Sequence, residues 1–375
     1  MPWRSQWAAC ARWISPRTST RRRSRPALET LEPRRVPTVT YHGGYLLPHV
    51  EAQSIFYGAL WNTALFKGQS QTLDSFVKYA VQSTFMDGIT RAGYAVGEGT
   101  DVPGVTIAAP LKNGTRISDA QIQADIQTLI SSYRVQPPDP NRLYIFWVQP
   151  NVIVTQDGGS SVNDFEGYHG AFNGKGPLGR PWEINYAVLS YPGGTVNNLG
   201  EDGMNAIDEL TSTAAHELAE SATDPGVNST AWYDDSQNGE IADITQDSYA
   251  RQDGWEFQLV AAKNDSPIAL GGFSTLPKTV TKLVASSASI AAGKSETFTI
   301  TVAPVKGAGR PTGQLELLND NVIVATLNLK FVDGIEQATF TTTHLTRGTH
   351  TLAAVFNGNA AFREGFSNGV TVTVT

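Results

Sequence analysis

The stretch "HELAESATDP", residues 216–225, sets His216 and Glu217 side by side and Glu220 one helical turn later. Two histidines four residues apart on a helix, with a glutamate after the first, bind a catalytic zinc ion. Here Glu220 occupies the place of the second histidine. Zinc accepts imidazole nitrogen and carboxylate oxygen alike, so His216 and Glu220 remain a chemically competent pair. Glu217, rotated about 100° from His216, has the offset of a general base beside a metal-bound water. The alternative is an acidic face at a helix end that contains one histidine, and spacing alone does not separate the two.

The helix expected to carry these residues begins near Gly203 and stops at Pro225. Its wheel groups Ile207, Leu210, Ala214 and Leu218 into one buried stripe, with His216, Glu220 and Asp224 on the opposite face. Carboxylates that could complete a metal site follow in "AWYDDSQNGEIAD". Asp243 is the first choice, then Glu240, then Asp224. That stretch also reads as a turn between two short strands, with Asn238-Gly239 as its hairpin signal. It fits a calcium loop only in part. Asp234, Ser236, Asn238, Gly239 and Ile241 fall in register, but Thr245 stands where the bidentate glutamate belongs.

The elements around this helix mix strands with helices. "EAQSIFYGALW", "RLYIFWV" (142–148) and "INYAVLSY" (184–191) read as strands, the second apolar throughout, as in a sheet covered on both faces. "QTLDSFVKYAVQSTF" and "SDAQIQADIQTLISSY" have helical spacing, and Ser118 with Gln121 forms a capping box. "GGSSVNDFEGYHGAFNGKGPLGRP" between the last two strands reads as a long glycine-rich loop. Residues 37–275 are thus an α/β or α+β domain. From 279 the pattern changes to seven short Val/Thr-rich segments separated by turn residues, the pattern of an immunoglobulin-like sandwich over 279–375. His344 and His350 lie there as strand or turn residues.

Composition limits the partners. The 375 residues carry a net charge of −7, but residues 1–36 hold nine arginines and two acids. That leaves 19 basic and 33 acidic residues, a net charge near −14, for the rest. A body this acidic repels nucleic acid and anionic membranes. No apolar run is long enough for a membrane span. The one cysteine, Cys10, lies in the basic segment, so the body has neither disulfides nor cysteine-based zinc sites.

Three resemblances follow. "RRRSRPALETLEPRRVPT" resembles a leader found on exported proteins of planctomycete bacteria, which implies that residues 1–36 are removed or disordered. Residues 279–375, with Pro311-Thr312-Gly313 and "LTRGTHTLAAVFNGNAAF", look like a bacterial Ig-like repeat of extracellular proteins. Such units act as stalks or adhesion modules and have no catalytic residues. "TYHGG", "GYHGAF", "HELAESATDP", "AWYDDSQNGEIAD" and "FQLVAAKND", in that order, resemble bacterial relatives of the plant phosphate-induced, EXORDIUM-type extracellular proteins. In those relatives the His-Glu block is read as a zincin-like metal helix, while the plant members largely lack it and act in the cell wall. His169 enters by this resemblance, as a third ligand, a transition-state donor or a turn buttress. His42 and His49 are structural or exposed. The expectation is a secreted or cell-surface zinc-dependent hydrolase, most plausibly a metallopeptidase, acting on an extracellular peptide or cell-wall polymer. His216, Glu220 and Asp243 would hold the metal and Glu217 would be the base. The competing reading is a non-catalytic wall-binding or adhesion protein on an Ig-like stalk, with Trp182, Trp232, Tyr233 and Trp255 as sugar platforms.

Overall fold

A five-stranded sheet organises the body in the computed structural model, which describes residues 38–375 apart from 198–202, 227, 272–274 and 308. The arginine-rich leader lies outside the described residues. The sheet strands are β1 (His49–Tyr57), β2 (Gly97–Ile107), β3 (Arg142–Val148), β4 (Gly167–Lys175) and β5 (Pro181–Leu189). Their spatial order is β2-β1-β3-β5-β4. The first four in that order run parallel, and the edge strand β4 runs antiparallel to β5. This is an α/β arrangement with one antiparallel edge. All seven residues of β3 are buried, as its unbroken apolar run requires of a central strand.

Helices cover both faces. On one lie α1 (Ala64–Val81), α2 (Thr84–Arg91) and α4 (Ala206–Thr223), packed in a core with Phe56, Ile145, Trp147 and Leu189. On the other lies α3 (Asp119–Ser131), whose Ile122, Ile126 and Ile130 meet Tyr144, Phe146 and Val188. Ser118 Oγ accepts the Gln121 amide at 3.3 Å, so the α3 cap is made. The Gln121 side chain turns away to Asp125 at 2.9 Å, so the capping box is half closed.

Three sequence expectations change in the structure. The segment 158–181 is not mainly a loop, because β4 runs through it. Gly167, Gly170 and Gly174 offer no hydrophobic or β-branched signal, yet the absence of a side chain at Gly167 is required. A Cβ there would stand 2.9 Å from Thr213 Cγ2 and 3.0 Å from Glu217 Oε1. Second, α4 starts at Ala206, where Asn205 Oδ1 caps the amides of Ile207 and Asp208. Third, Trp232–Tyr233 pairs with Thr40–Tyr41 rather than with the residues after Gly239. The expected hairpin shrinks to one bridge between Asp234 and Gly239.

All seven expected sandwich segments are strands: β6 (Thr279–Ala285), β7 (Glu296–Pro304), β8 (Gln314–Asn319), β9 (Val322–Asn328), β10 (Ile335–Thr342), β11 (Gly348–Phe356) and β12 (Val370–Val374). One sheet contains β6-β7-β10 and the other β12-β11-β8-β9, enclosing Phe298, Ile300, Leu317, Leu352 and Phe356. His350 is buried, and its ring bonds the Thr346 carbonyl and Asn319. His344 is exposed. The change of architecture near residue 275 does not interrupt the core. Leu318 and Val355 of the sandwich belong to the cluster around α1, α2 and α4. Arg363 reaches Asp87 at 2.6 Å and Glu98 at 3.1 Å across the same seam. Residues 37–375 form one compact unit.

Candidate metal centre

The wheel placed His216 and Glu220 on an open face of α4, and the structure covers that face. Thirteen of the eighteen residues of α4 are buried, Glu217 and Glu220 among them. Strands β4 and β5 pack on one side and Trp255–Gln258 on the other. An amphipathic pattern marks only what is apolar, and here the second cover is polar.

The cover is held by Glu220 itself. Glu220 Oε1 accepts the backbone amides of Ala242 and Asp243, each at 3.2 Å. The Ala242 carbonyl accepts from Gln258 Nε2 at 2.8 Å. This bond fixes the Gln258 amide, so its Oε1 faces His216 Nδ1 at 3.1 Å. An amide oxygen only accepts, so Nδ1 bears a hydrogen, and in the neutral ring Nε2 has the lone pair. Nε2 then points at Glu220 Oε2, 3.0 Å away, and at Asp243 Oδ1, 3.7 Å away. A neutral imidazole would set acceptor against acceptor there. Either a second proton or a cation resolves the clash, and a second hydrogen bond that fixes the other ring nitrogen is the usual support of a metal-bound histidine. Gln258 carried no mark in the sequence, since no spacing rule singles out a lone glutamine in a strand.

His169 enters from β4. Its Nδ1 lies 3.3 Å from Glu217 Oε2 and 3.6 Å from Glu220 Oε2. Its Nε2 lies 3.2 Å from the Asp224 carbonyl and 3.4 Å from Glu240 Oε2. Burial alone would lower its pKa, but Glu240, Glu217 and Glu220 outweigh that and push it up to about 10. For His216, burial likewise opposes protonation, and Glu220 with Glu217 holds it well above the usual range. Burial raises Glu240 well above an ordinary carboxyl and brings Asp243 and Asp224 each to about 6. Glu220 goes the other way, because burial, the largest single influence, is outweighed by His216, His169 and the Asp243 amide together.

Of the expected metal ligands, His216 and Glu220 converge closely. Asp243 approaches His216 but stays exposed. Among the described residues, two sets of donors have atoms all within 4.8 Å of one another: His216, Glu217 and Glu220, and His169, Glu220 and Glu240. Asp243 belongs to neither. The Asp224 carboxylate holds the chain instead, its Oδ1 accepting the Ala231 amide at 2.8 Å. The calcium-like loop is closed by its own backbone, since Asp234 Oδ1 accepts the amides of Ser236 and Gln237.

The other singled-out residues have structural places. Trp232 is buried against Tyr94 and Tyr41 and donates to the Tyr94 carbonyl, so it is no sugar platform. Trp255 packs on Phe76, and Trp182 and Tyr233 are half-buried. His49 bonds the Glu98 carbonyl and lies on Phe366, and His42 faces Asp235 at 3.7 Å. Among the described residues no helix is long and apolar enough to cross a membrane.

No curated protein matches the chain. Among solved structures, the CARDB domain of the PF1109 protein from Pyrococcus furiosus, in complex with di-metal ions, is 13% identical. The match covers 28% of this chain and 94% of that one, with a TM-score of 0.22. The sulfur carrier protein SoxY from Chlorobium limicola f thiosulfatophilum is 14% identical over 28% of this chain and 88% of its own, with a TM-score of 0.20. A β-glucosidase from Erythrobacter marinus is 10% identical over 90% of this chain and 49% of its own, with a TM-score of 0.21. Likenesses this distant say nothing about the site. The sandwich is different, for residues 283–375 match the Bacterial Ig-like domain (group 3), and the chain therefore carries a bacterial Ig-like domain at its C-terminal end.

Proposed function

We propose that the body is a zincin-like, zinc-dependent hydrolase, most plausibly a peptidase, working outside the cell or at its surface. The observation behind this is the pair His216 Nε2 and Glu220 Oε2, 3.0 Å apart, with the imidazole hydrogen committed to Gln258. The donor set fits the ion. Nitrogen and carboxylate oxygen suit zinc, the lone pair is already aimed, and the polar partner that aims it is present.

His216 and Glu220 would hold the ion, with the exposed Asp243, 3.7 Å from His216, as the third ligand. A zinc ion bound there supplies an acidified water and a polarised substrate carbonyl. Glu217 Oε2 is the base that accepts the proton, and His169, 3.3 Å away, steadies that carboxylate. The acidic body argues against a nucleic-acid substrate, and the Ig-like domain supports an extracellular setting.

The test is zinc content and peptide hydrolysis of the purified full chain. His216→Ala is expected to lose the metal. Glu217→Gln is expected to keep metal and fold while hydrolysis falls about a hundredfold or more, the scale of one positioned proton acceptor. Bound zinc with no hydrolysis that depends on Glu217 would make this a metal-stabilised module without turnover. A zinc-free protein would leave the wall-binding reading.

A further inference from the structure

We infer that the site takes two divalent cations, the second held by His169 and Glu240, with Glu220 shared between the pair. The inference rests on the reading of His216 and Glu220 given above and extends it to the second donor set.

The His169 ring poses the problem in either tautomer. With hydrogen on Nδ1, that nitrogen donates to Glu217 Oε2, and the Nε2 lone pair faces Glu240 Oε2 at 3.4 Å and the Asp224 carbonyl at 3.2 Å. With hydrogen on Nε2, the Nδ1 lone pair faces Glu217 and Glu220. Each neutral form leaves a lone pair among oxygen acceptors, an arrangement that a second proton or a bound cation resolves. The first form is the one that metal centres use, with a carboxylate bonded to the ring nitrogen opposite the metal. Glu240 supplies an independent sign. Its Oε2 is closed to solvent and accepts no hydrogen bond. An orphaned carboxylate oxygen beside an imidazole nitrogen is half of a coordination shell.

Glu220 links the positions. Its Oε1 is committed to the amides of Ala242 and Asp243, which leaves Oε2 3.0 Å from His216 Nε2 and 3.6 Å from His169 Nδ1, between the two rings. The two compact donor sets have Glu220 in common but no histidine in common, so the histidines serve different positions. Charge agrees. Glu217, Glu220, Asp224, Glu240 and Asp243 crowd two imidazoles. With neutral imidazoles, one divalent ion leaves a net of about −3 and two leave about −1, which a low-dielectric site tolerates far better.

The experiment counts zinc bound per full chain after the protein is stripped with a chelator and re-titrated with zinc alone. Two ions are expected for the wild type. One is expected for Glu240→Gln, one for His169→Gln, and one for His216→Gln. Glu240→Gln changes no volume, so it decides the matter if the histidine variants do not fold. A single ion that survives both His169→Gln and Glu240→Gln would remove the second position and leave the His216 reading standing. A single ion lost in His169→Gln would make His169 a ligand of one shared ion and overturn the inference. A wild type that takes up no zinc would end both readings.

Discussion

Arg363 crosses the seam between body and sandwich with its guanidinium 2.6 Å from Asp87 and 3.1 Å from Glu98, while its Nε reaches Glu364 at 3.0 Å. Arg91 adds a second cation, bonded to the carbonyls of Phe362 and Asn359. Around α4, five carboxylates meet two imidazoles, and among the described residues no arginine or lysine forms an ion pair with them. Both regions remove charge from water. The seam supplies arginine counter-ions in fixed geometry, although burial still pushes Asp87 up to about 7, whereas the helix site has only histidines as cations and raises the proton affinity of His169, His216 and Glu240. A region built only to hold the fold is expected to look like the first. Strongly perturbed groups gathered at one place are the mark of a site built for a ligand or a reaction.

The contrast can be broken from the seam side first. Arg363→Ala leaves Asp87 buried without its cation while Glu364 keeps Arg91 at 3.7 Å, and a loss of about 3–5 kcal/mol in unfolding free energy is expected by urea titration. Adding Asp87→Asn should recover part of it. If Arg363→Ala costs nothing, the seam does not join the two parts as described.

Glu316, on β8 near the same seam, tests the one seam carboxylate that lacks a close cation. Its Oε1 accepts from Asn357 at 3.0 Å, and its Oε2 is closed to solvent with no partner. Burial pushes it from an ordinary 4.5 up to about 7. The folded state therefore holds this proton more tightly than the unfolded chain. The associated stability is complete below about pH 4.5 and is lost as pH rises through about 7. The full difference is about 3 kcal/mol. Glu316→Gln is expected to match the wild type at the acid end and to exceed it above pH 7, read from thermal melts across that range. Parallel curves would show that Glu316 stays charged and compensated.

At the helix site the expected effects on folding are smaller and partly of opposite sign. Gln258→Leu removes the group that fixes the His216 tautomer, so zinc affinity should fall by about tenfold to a hundredfold with the fold intact. Glu240→Gln should stabilise the chelator-treated protein by about 1 kcal/mol at neutral pH, since a crowded carboxylate becomes neutral, while it weakens metal uptake. A substitution that stabilises the empty protein and impairs binding separates the helix site from the Arg363 ion pair of the seam, whose removal costs stability.

Much of the scaffold was legible from local pattern. The apolar run 142–148 is a strand with those bounds, and all seven sandwich segments form, because alternation and turn residues are properties of neighbouring positions. Strand β4 was hidden, because Gly167, Gly170 and Gly174 have no side chain to signal it and its reasons lie in β5 and α4. Likewise Trp232 resembled an exposed platform until Tyr94 and Tyr41 closed over it.

For the site, the sequence by itself determined that His216, Glu217 and Glu220 share one helix, since a turn of about 3.6 residues fixes which side chains neighbour each other. It also determined that no cysteine and no basic cluster of the body would serve them. Only the tertiary structure decided the rest: that His169 arrives from β4, that Glu240 closes over it, that Gln258 sets the imidazole, and that Asp224 commits its carboxylate to Ala231. These partners stand 7 to 55 residues from the positions they meet on the helix or at its end. Their approach depends on how β4 and the 232–258 segment pack on the two sides of α4, and packing across a fold is a property of shape that no spacing along the chain records.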